Sequence, residues 1–244
     1  MRFAVPRRPS LQTAAMLIAL LASSCAQKPK LGMEAPGRPA LTWGSPNGGA
    51  SAAPQAHVDD TERQLLEEKQ EAENKGTDDL ALAATLYNLA ILRRQQGQLA
   101  EAEQLYRRSL EIRERLEGSK HPDVAITLNN LAALRAAAGD YGAAQAMLER
   151  ALNIRRTALG ATHPLTAQSM SNLALLYAAE GKGDAAEPLY RQALSILEKS
   201  DGAEQDLGRV LDNYAALLRD VGRVADAEKI EARARGIGAA GVTR

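Results

Sequence analysis

The amino-acid sequence predicts an all-α protein, an α-solenoid of four helix-turn-helix repeats behind an N-terminal signal and a disordered tether. Three observations carry that expectation. The triplet NLA recurs at Asn88, Asn130 and Asn172 with a spacing of 42 residues, and NYA follows at Asn213 after 41. Gly97, Gly139, Gly181 and Gly222 each lie nine residues beyond the Asn, where a helix must end and the chain reverse. Aromatic residues make up only 3% of the chain, so a core must be filled by Leu, Ala, Ile and Val, which suits closely packed helices better than a sandwich or barrel. A fixed period of this length marks stacked units, each too small to bury its apolar face alone.

The elements follow in chain order. MRFAVPRRPSLQTAAMLIALLASSC has a basic start, an apolar run from Ala14 to Ala22, and small residues ahead of Cys25. That run falls well short of the ~20 residues that span a bilayer as a helix, so residues 1–24 read as a secretory signal to be cut. LASSC resembles the lipobox of bacterial lipoprotein precursors, with the favoured Leu one place early at Leu21. The resemblance implies that Cys25, the sole cysteine, receives a diacylglycerol and then an acyl group on its new amino terminus. With Ala26 rather than Asp next, it further implies the outer membrane, facing the periplasm. Two or three acyl chains hold stably because each buried CH₂ contributes about 0.8 kcal/mol. The other reading leaves Cys25 a bystander beside an ordinary cleavage site.

Residues 25–57 are the tether. Five Pro and five Gly between Gln27 and His57, with no apolar period, cannot bury enough surface to offset ordering entropy. Trp43 is its lone aromatic. VDDTERQLLEEKQEAENKG, residues 58–76, is a candidate capping helix with thin apolar content. Residues 77–241 hold the repeats. Leu86, Leu128, Met170 and Leu211, with Leu92, Leu134, Leu176 and Leu217, mark one face of each first helix. Leu105, Tyr106 and Leu110, then Leu148 and Leu152, then Leu189, Tyr190 and Leu194, mark the second helices, which open near Ala102, Ala144, Ala186 and Ala227. His121-Pro122 and His163-Pro164 start first helices, since Pro is tolerated where an N–H has no helical partner. Pro188 is expected in the first turn of its helix, after Asp184.

NLAALRAAAGDYGAAQAMLERAL and NLALLYAAEGKGDAAEPLYRQAL resemble tetratricopeptide repeats of the 42-residue subtype found in kinesin light chains. The eight residues beyond the common 34 add roughly one turn to each helix. Copy four departs from the pattern, with Glu231 where the family prefers an aromatic, as suits a terminal repeat. The resemblance implies a superhelix whose concave side, lined by the first helices, binds extended peptides. It maps that groove to Asn88, Asn130, Asn172 and Asn213, to their predecessors Tyr87, Asn129, Ser171 and Asp212, and to Arg94, Ala136, Ala178 and Arg219. Asn costs up to about 0.7 kcal/mol relative to Ala in a helix, so four of them need compensation. A carboxamide matches the C=O and N–H of a peptide unit, and it equally matches a neighbouring helix; both readings stand here. Tyr87, Arg94, Gln168, Arg209, Asp212 and Arg219 differ between copies and are the candidates for specificity, over a small floor of Ala133, Ala136, Ala137, Ala178 and Ala179.

Thirty basic and thirty acidic residues leave no electrostatic footprint for nucleic acid. No nucleophile and base pair, metal-ligand set or Gly-rich phosphate loop can be placed, so neither an enzyme, a cofactor nor a small-molecule substrate is expected. Three scattered histidines make no metal constellation. The leading expectation is a membrane-tethered scaffold at the bacterial envelope that binds peptides or proteins, with the bilayer engaged through acylated Cys25. The alternative is a structural subunit that self-associates without a peptide ligand.

Overall fold

The structure, a computed structural model, describes residues 53–241, with side chains from 60 to 237. The signal, Cys25 and the tether as far as residue 52 lie outside the described residues. Among those described are nine helices and no strand: α1 Ala53–Lys75, α2 Leu80–Gln95, α3 Leu99–Leu116, α4 Pro122–Ala137, α5 Tyr141–Leu159, α6 Pro164–Ala179, α7 Gly183–Leu197, α8 Glu204–Asp220 and α9 Val224–Gly241. α1 starts five residues before the expected 58, so residues 53–57 are helical rather than tether. Pro54 in its first turn does not oppose this, because no helical hydrogen bond is due there. The described residues form two compact units, 53–109 and 110–241, divided within α3.

In the first unit, Asp79 caps α2 by accepting a hydrogen bond from the Leu82 N–H at 2.8 Å. Leu82, Leu86 and Leu89 of α2 are buried, as are Ala102, Leu105 and Tyr106 of α3. α1 carries few apolar residues and is held by polar contacts instead. Glu62 pairs with Arg93 and accepts from Gln96 Nε2 at 2.7 Å, while Thr85 Oγ1 donates to Glu68 Oε2 at 3.0 Å. The Arg93 guanidinium holds the Glu62 carboxyl below its ordinary value despite partial burial.

The second unit repeats one hairpin three times. His121 and His163 cap α4 and α6, each Nδ1 accepting from the N–H two residues on, at 3.3 and 3.1 Å. Pro122 and Pro164 then open the helices as expected. At each reversal a glycine takes positive φ, +82° at Gly139 and +74° at Gly181, which a side chain would strain. The next N–H reaches back five residues, Asp140 to Arg135 O at 2.9 Å and Lys182 to Tyr177 O at 2.8 Å, closing a Schellman turn. Small Ala144, Ala186 and Ala227 are fully buried at the helix crossings, where they let the axes approach. The Leu and Met positions of both helices fill the core, joined by Tyr190 and Tyr214 with ring centroids 5.8 Å apart.

Pro188 departs from expectation. α7 begins at Gly183, with Lys182 as its N-cap, so Pro188 lies in the second turn rather than the first. Its missing N–H therefore removes the helical bond due to the Asp184 carbonyl.

Candidate functional site

The anchor asparagines are not placed alike. Asn88 is exposed, whereas Asn130, Asn172 and Asn213 are 1%, 2% and 7% exposed. Their predecessors mirror this: Tyr87, Asn129 and Ser171 are buried, and Asp212 is exposed. The open members stand at the two ends of the rows, in the first and fourth repeats. Successive helical residues differ by about 100° in direction, so the two rows point to different sides of the first helices. In the second unit α6 lies beside both α4 and α8, and stacking covers both rows.

Burial decides what each side chain can do. Asn130 Nδ2 donates to the Ile126 carbonyl at 3.2 Å, so this amide bonds its own helix, a third use beside the two that the sequence left open. Asn129 is 1% exposed, and neither its Nδ2 nor its Oδ1 has a hydrogen-bond partner among the described residues. Gln168, expected in the groove, is buried and accepts from Arg155 Nη1 at 3.0 Å. Tyr87 packs its ring edge-on against Tyr106 at 5.5 Å, which makes it a core residue of the first unit. Ala133 and Ala136 are no open floor either, because they pack with Leu173, Leu175 and Leu176 of α6.

The remaining candidates are cations nearer the surface. Arg94 is half-buried, and half-buried Arg209 pairs with Asp206. Arg219 is exposed and donates to Glu231 through Nε at 2.7 Å and Nη2 at 2.9 Å. That bidentate contact holds the Glu231 carboxyl below its usual range. Asp212 goes the other way: partial burial, with the Glu231 charge added, raises its carboxyl above the ordinary value.

Three buried arginines escaped the sequence reading: Arg93, which meets Glu62 in the first unit, and Arg113 and Arg155 in the second. Arg155 is 3% exposed and donates to Leu165 O at 2.9 Å and Ser169 Oγ at 3.2 Å as well as to Gln168. Arg113 lies 42 residues earlier, with Nη1 2.8 Å from Asp123 Oδ2 and 3.6 Å from Glu117 Oε2. The signal was an Arg recurring at the repeat period in otherwise polar helices. Around Arg113, potential ligand atoms of Glu117, His121 and Asp123 lie within 4.8 Å of one another, a grouping that the spacing of residues in the sequence does not reveal. The guanidinium between the carboxylates and the use of His121 Nδ1 as a cap acceptor fit a structural ion cluster, not a metal centre.

The family model for the tetratricopeptide repeat matches residues 81–157, 136–199 and 165–238, together more than half of the chain. The chain belongs to the tetratricopeptide-repeat family. Its fold is shared with BtubC (BKLC) from P. vanneervenii at a TM-score of 0.68, with 24% identity over 77% of this chain and 76% of that one. It is shared also with the nearly identical TPR-like repeats of a Podosopora anserina protein designated a kinesin light chain. A point variant of those repeats gives a TM-score of 0.65, with 22% identity over 78% of this chain and 91% of that one. The unsubstituted form gives 0.62, with 23% identity over 76% and 89%. None of the curated proteins matches this sequence. Tetratricopeptide repeats are thus established here by both sequence and fold, and they point to a protein-interaction or scaffold role. Such repeats are typically non-enzymatic scaffolds.

Proposed function

We propose that the protein is a lipid-anchored scaffold at the bacterial envelope, facing the periplasm from the outer membrane, which captures an extended peptide segment along α4, α6 and α8. The observation that carries the peptide reading is Asn129. A buried carboxamide without a partner costs about 1–3 kcal/mol, and a protein keeps such a group where something else uses it. The C=O and N–H of a peptide backbone meet both of its unused capacities when the α4–α6 contact eases to admit them. Exposed Asp212 and Arg219 on α8 add charged contacts that differ from those of the other repeats.

Asn129→Leu separates this reading from a structural one. The substitution removes the unmet amide and keeps the branched outline of the side chain, so thermal stability is expected to rise by about 1 kcal/mol, followed by circular dichroism. Crosslinking to a bound peptide segment on the membrane should fall at the same time. A variant that is destabilised and still crosslinks normally overturns the peptide reading.

The anchor is read from LASSC, and among the described residues no helix is long and apolar enough to cross a membrane. Cys25→Ser is expected to move the protein from the membrane fraction to the soluble fraction, checked by fractionation and by the loss of acyl mass. Retention of an uncleaved, membrane-bound chain overturns the lipid anchor.

A further inference from the structure

A second glycine row fixes where α1 belongs. Gly76, Gly118, Gly160 and Gly202 recur every 42 residues, each with positive φ, in the turns that follow α1, α3, α5 and α7. α1 is therefore in register with the second helices and stands before α2 as α5 stands before α6. α6, however, also has the first helix α4 at its side. α2 has no such companion among the described residues.

The side chains of α2 are correspondingly less covered. Asn172 and Gln168 of α6 are buried, whereas the equivalent Asn88 of α2 is exposed and Ala84 is half-buried. Between α1 and α2 lies a hollow of about 310 Å³, lined among others by Glu68, Glu71, Lys75, Asp79, Ala84 and Asn88. Its small floor leaves room for the side chains of an incoming element. Its charge is unbalanced, three carboxylates facing one ammonium, which favours a cationic guest and disfavours an acidic one.

We propose that this seat takes up a basic amphipathic helix from another protein, which packs beside α2 as α4 packs beside α6. The guest lays apolar side chains over Ala84 while its Lys or Arg residues meet Glu68, Glu71 and Asp79. Asn88 receives the cover that α4 and its neighbours give to Asn172. The site lies wholly on α1 and α2 and is independent of the peptide reading at Asn129.

The test uses the full chain and two labelled 16-residue amphipathic peptides with the same apolar face, one bearing Lys on its polar face and the other Glu, followed by fluorescence anisotropy. The Lys peptide is expected to bind saturably, about tenfold more tightly than the Glu peptide, and to weaken with salt. Ala84→Arg fills the hollow and places a cation in it, so it should abolish that binding. Glu71→Lys, on the exposed face of α1, should weaken it with the fold unchanged by circular dichroism. Asn129→Leu should leave it intact, which keeps failure of this proposal distinct from failure of the peptide reading. Equal binding of the two peptides, binding indifferent to Ala84→Arg, or no saturable binding overturns the proposal. So does a dimer of the chain alone that Ala84→Arg dissolves, because a second copy would then be the occupant.

Discussion

Glu187 on α7 gathers three partners, two of which tie α7 to the hairpin after it. Tyr214 Oη donates to it at 2.8 Å, Arg223 Nη1 lies 2.9 Å from Oε2, and Arg191 Nη2 lies 2.6 Å from Oε1. Burial pushes this carboxyl up, yet the hydrogen bonds from Tyr214 and Arg223 and the charges of Arg191 and Arg223 outweigh it and leave the group below its ordinary value. A depressed carboxylate contributes stability that is present above its unfolded value, 4.5, and is lost as pH falls through the lower folded value. Glu187→Gln should therefore lower the Tm most near pH 7, and the difference should shrink as the pH falls below 4.5 through the folded value, measured by thermal melts across that range. An offset constant with pH would mean that packing alone matters at this position. At the same scale, the buried side chains show where the sequence stops being legible. That Asn130 and Gln168 recur or vary between copies is written in the chain; that one bonds Ile126 and the other Arg155 depends on what the fold brings opposite them.

The helices differ in how well their ends are finished. Asp140 caps α5, accepting from the Ala143 N–H at 3.1 Å, and the same position 42 residues on is Lys182, which makes no side-chain cap to α7. α7 also carries Pro188 in its second turn, so it is the least well-supported second helix of its unit. Lys182→Asp supplies the missing acceptor and should raise stability by about 0.5–2 kcal/mol, read from urea midpoints at constant slope. A loss of stability would show that the ammonium's contacts with Glu180 and the Tyr177 ring outweigh a cap. Helix identity and turn position were readable because Leu, Ala and Gly recur at fixed intervals and each has a single physical reason to do so. The start of α1 and the true N-terminus of α7 were not. Five residues of α1 look like tether by composition, and Asp184 looks like a cap although the chain turns at Lys182.

At the scale of the molecule, the period predicted both the four hairpins and their family, because a repeat that buries its face only against its neighbours must state the same apolar positions each time. It did not predict which faces stay open. The positions expected to line a groove include Asn129, Asn130, Gln168 and Asn172, which stacking covers, so much of the expected recognition surface is interior. What remains open lies toward the ends of the rows, at Asn88 in one unit and at Asp212 and Arg219 in the other.

The left-handed glycines carry one more implication. Each joint is set by backbone geometry at Gly118 and Gly160, so a segment such as 121–162 begins and ends at equivalent joints. Copying that segment in tandem should give a longer folded chain, with ellipticity per residue unchanged and a higher Tm, because each added module brings one more interface. A chain built this way can change its span by whole modules through duplication of its own coding stretch, with no junction to reinvent.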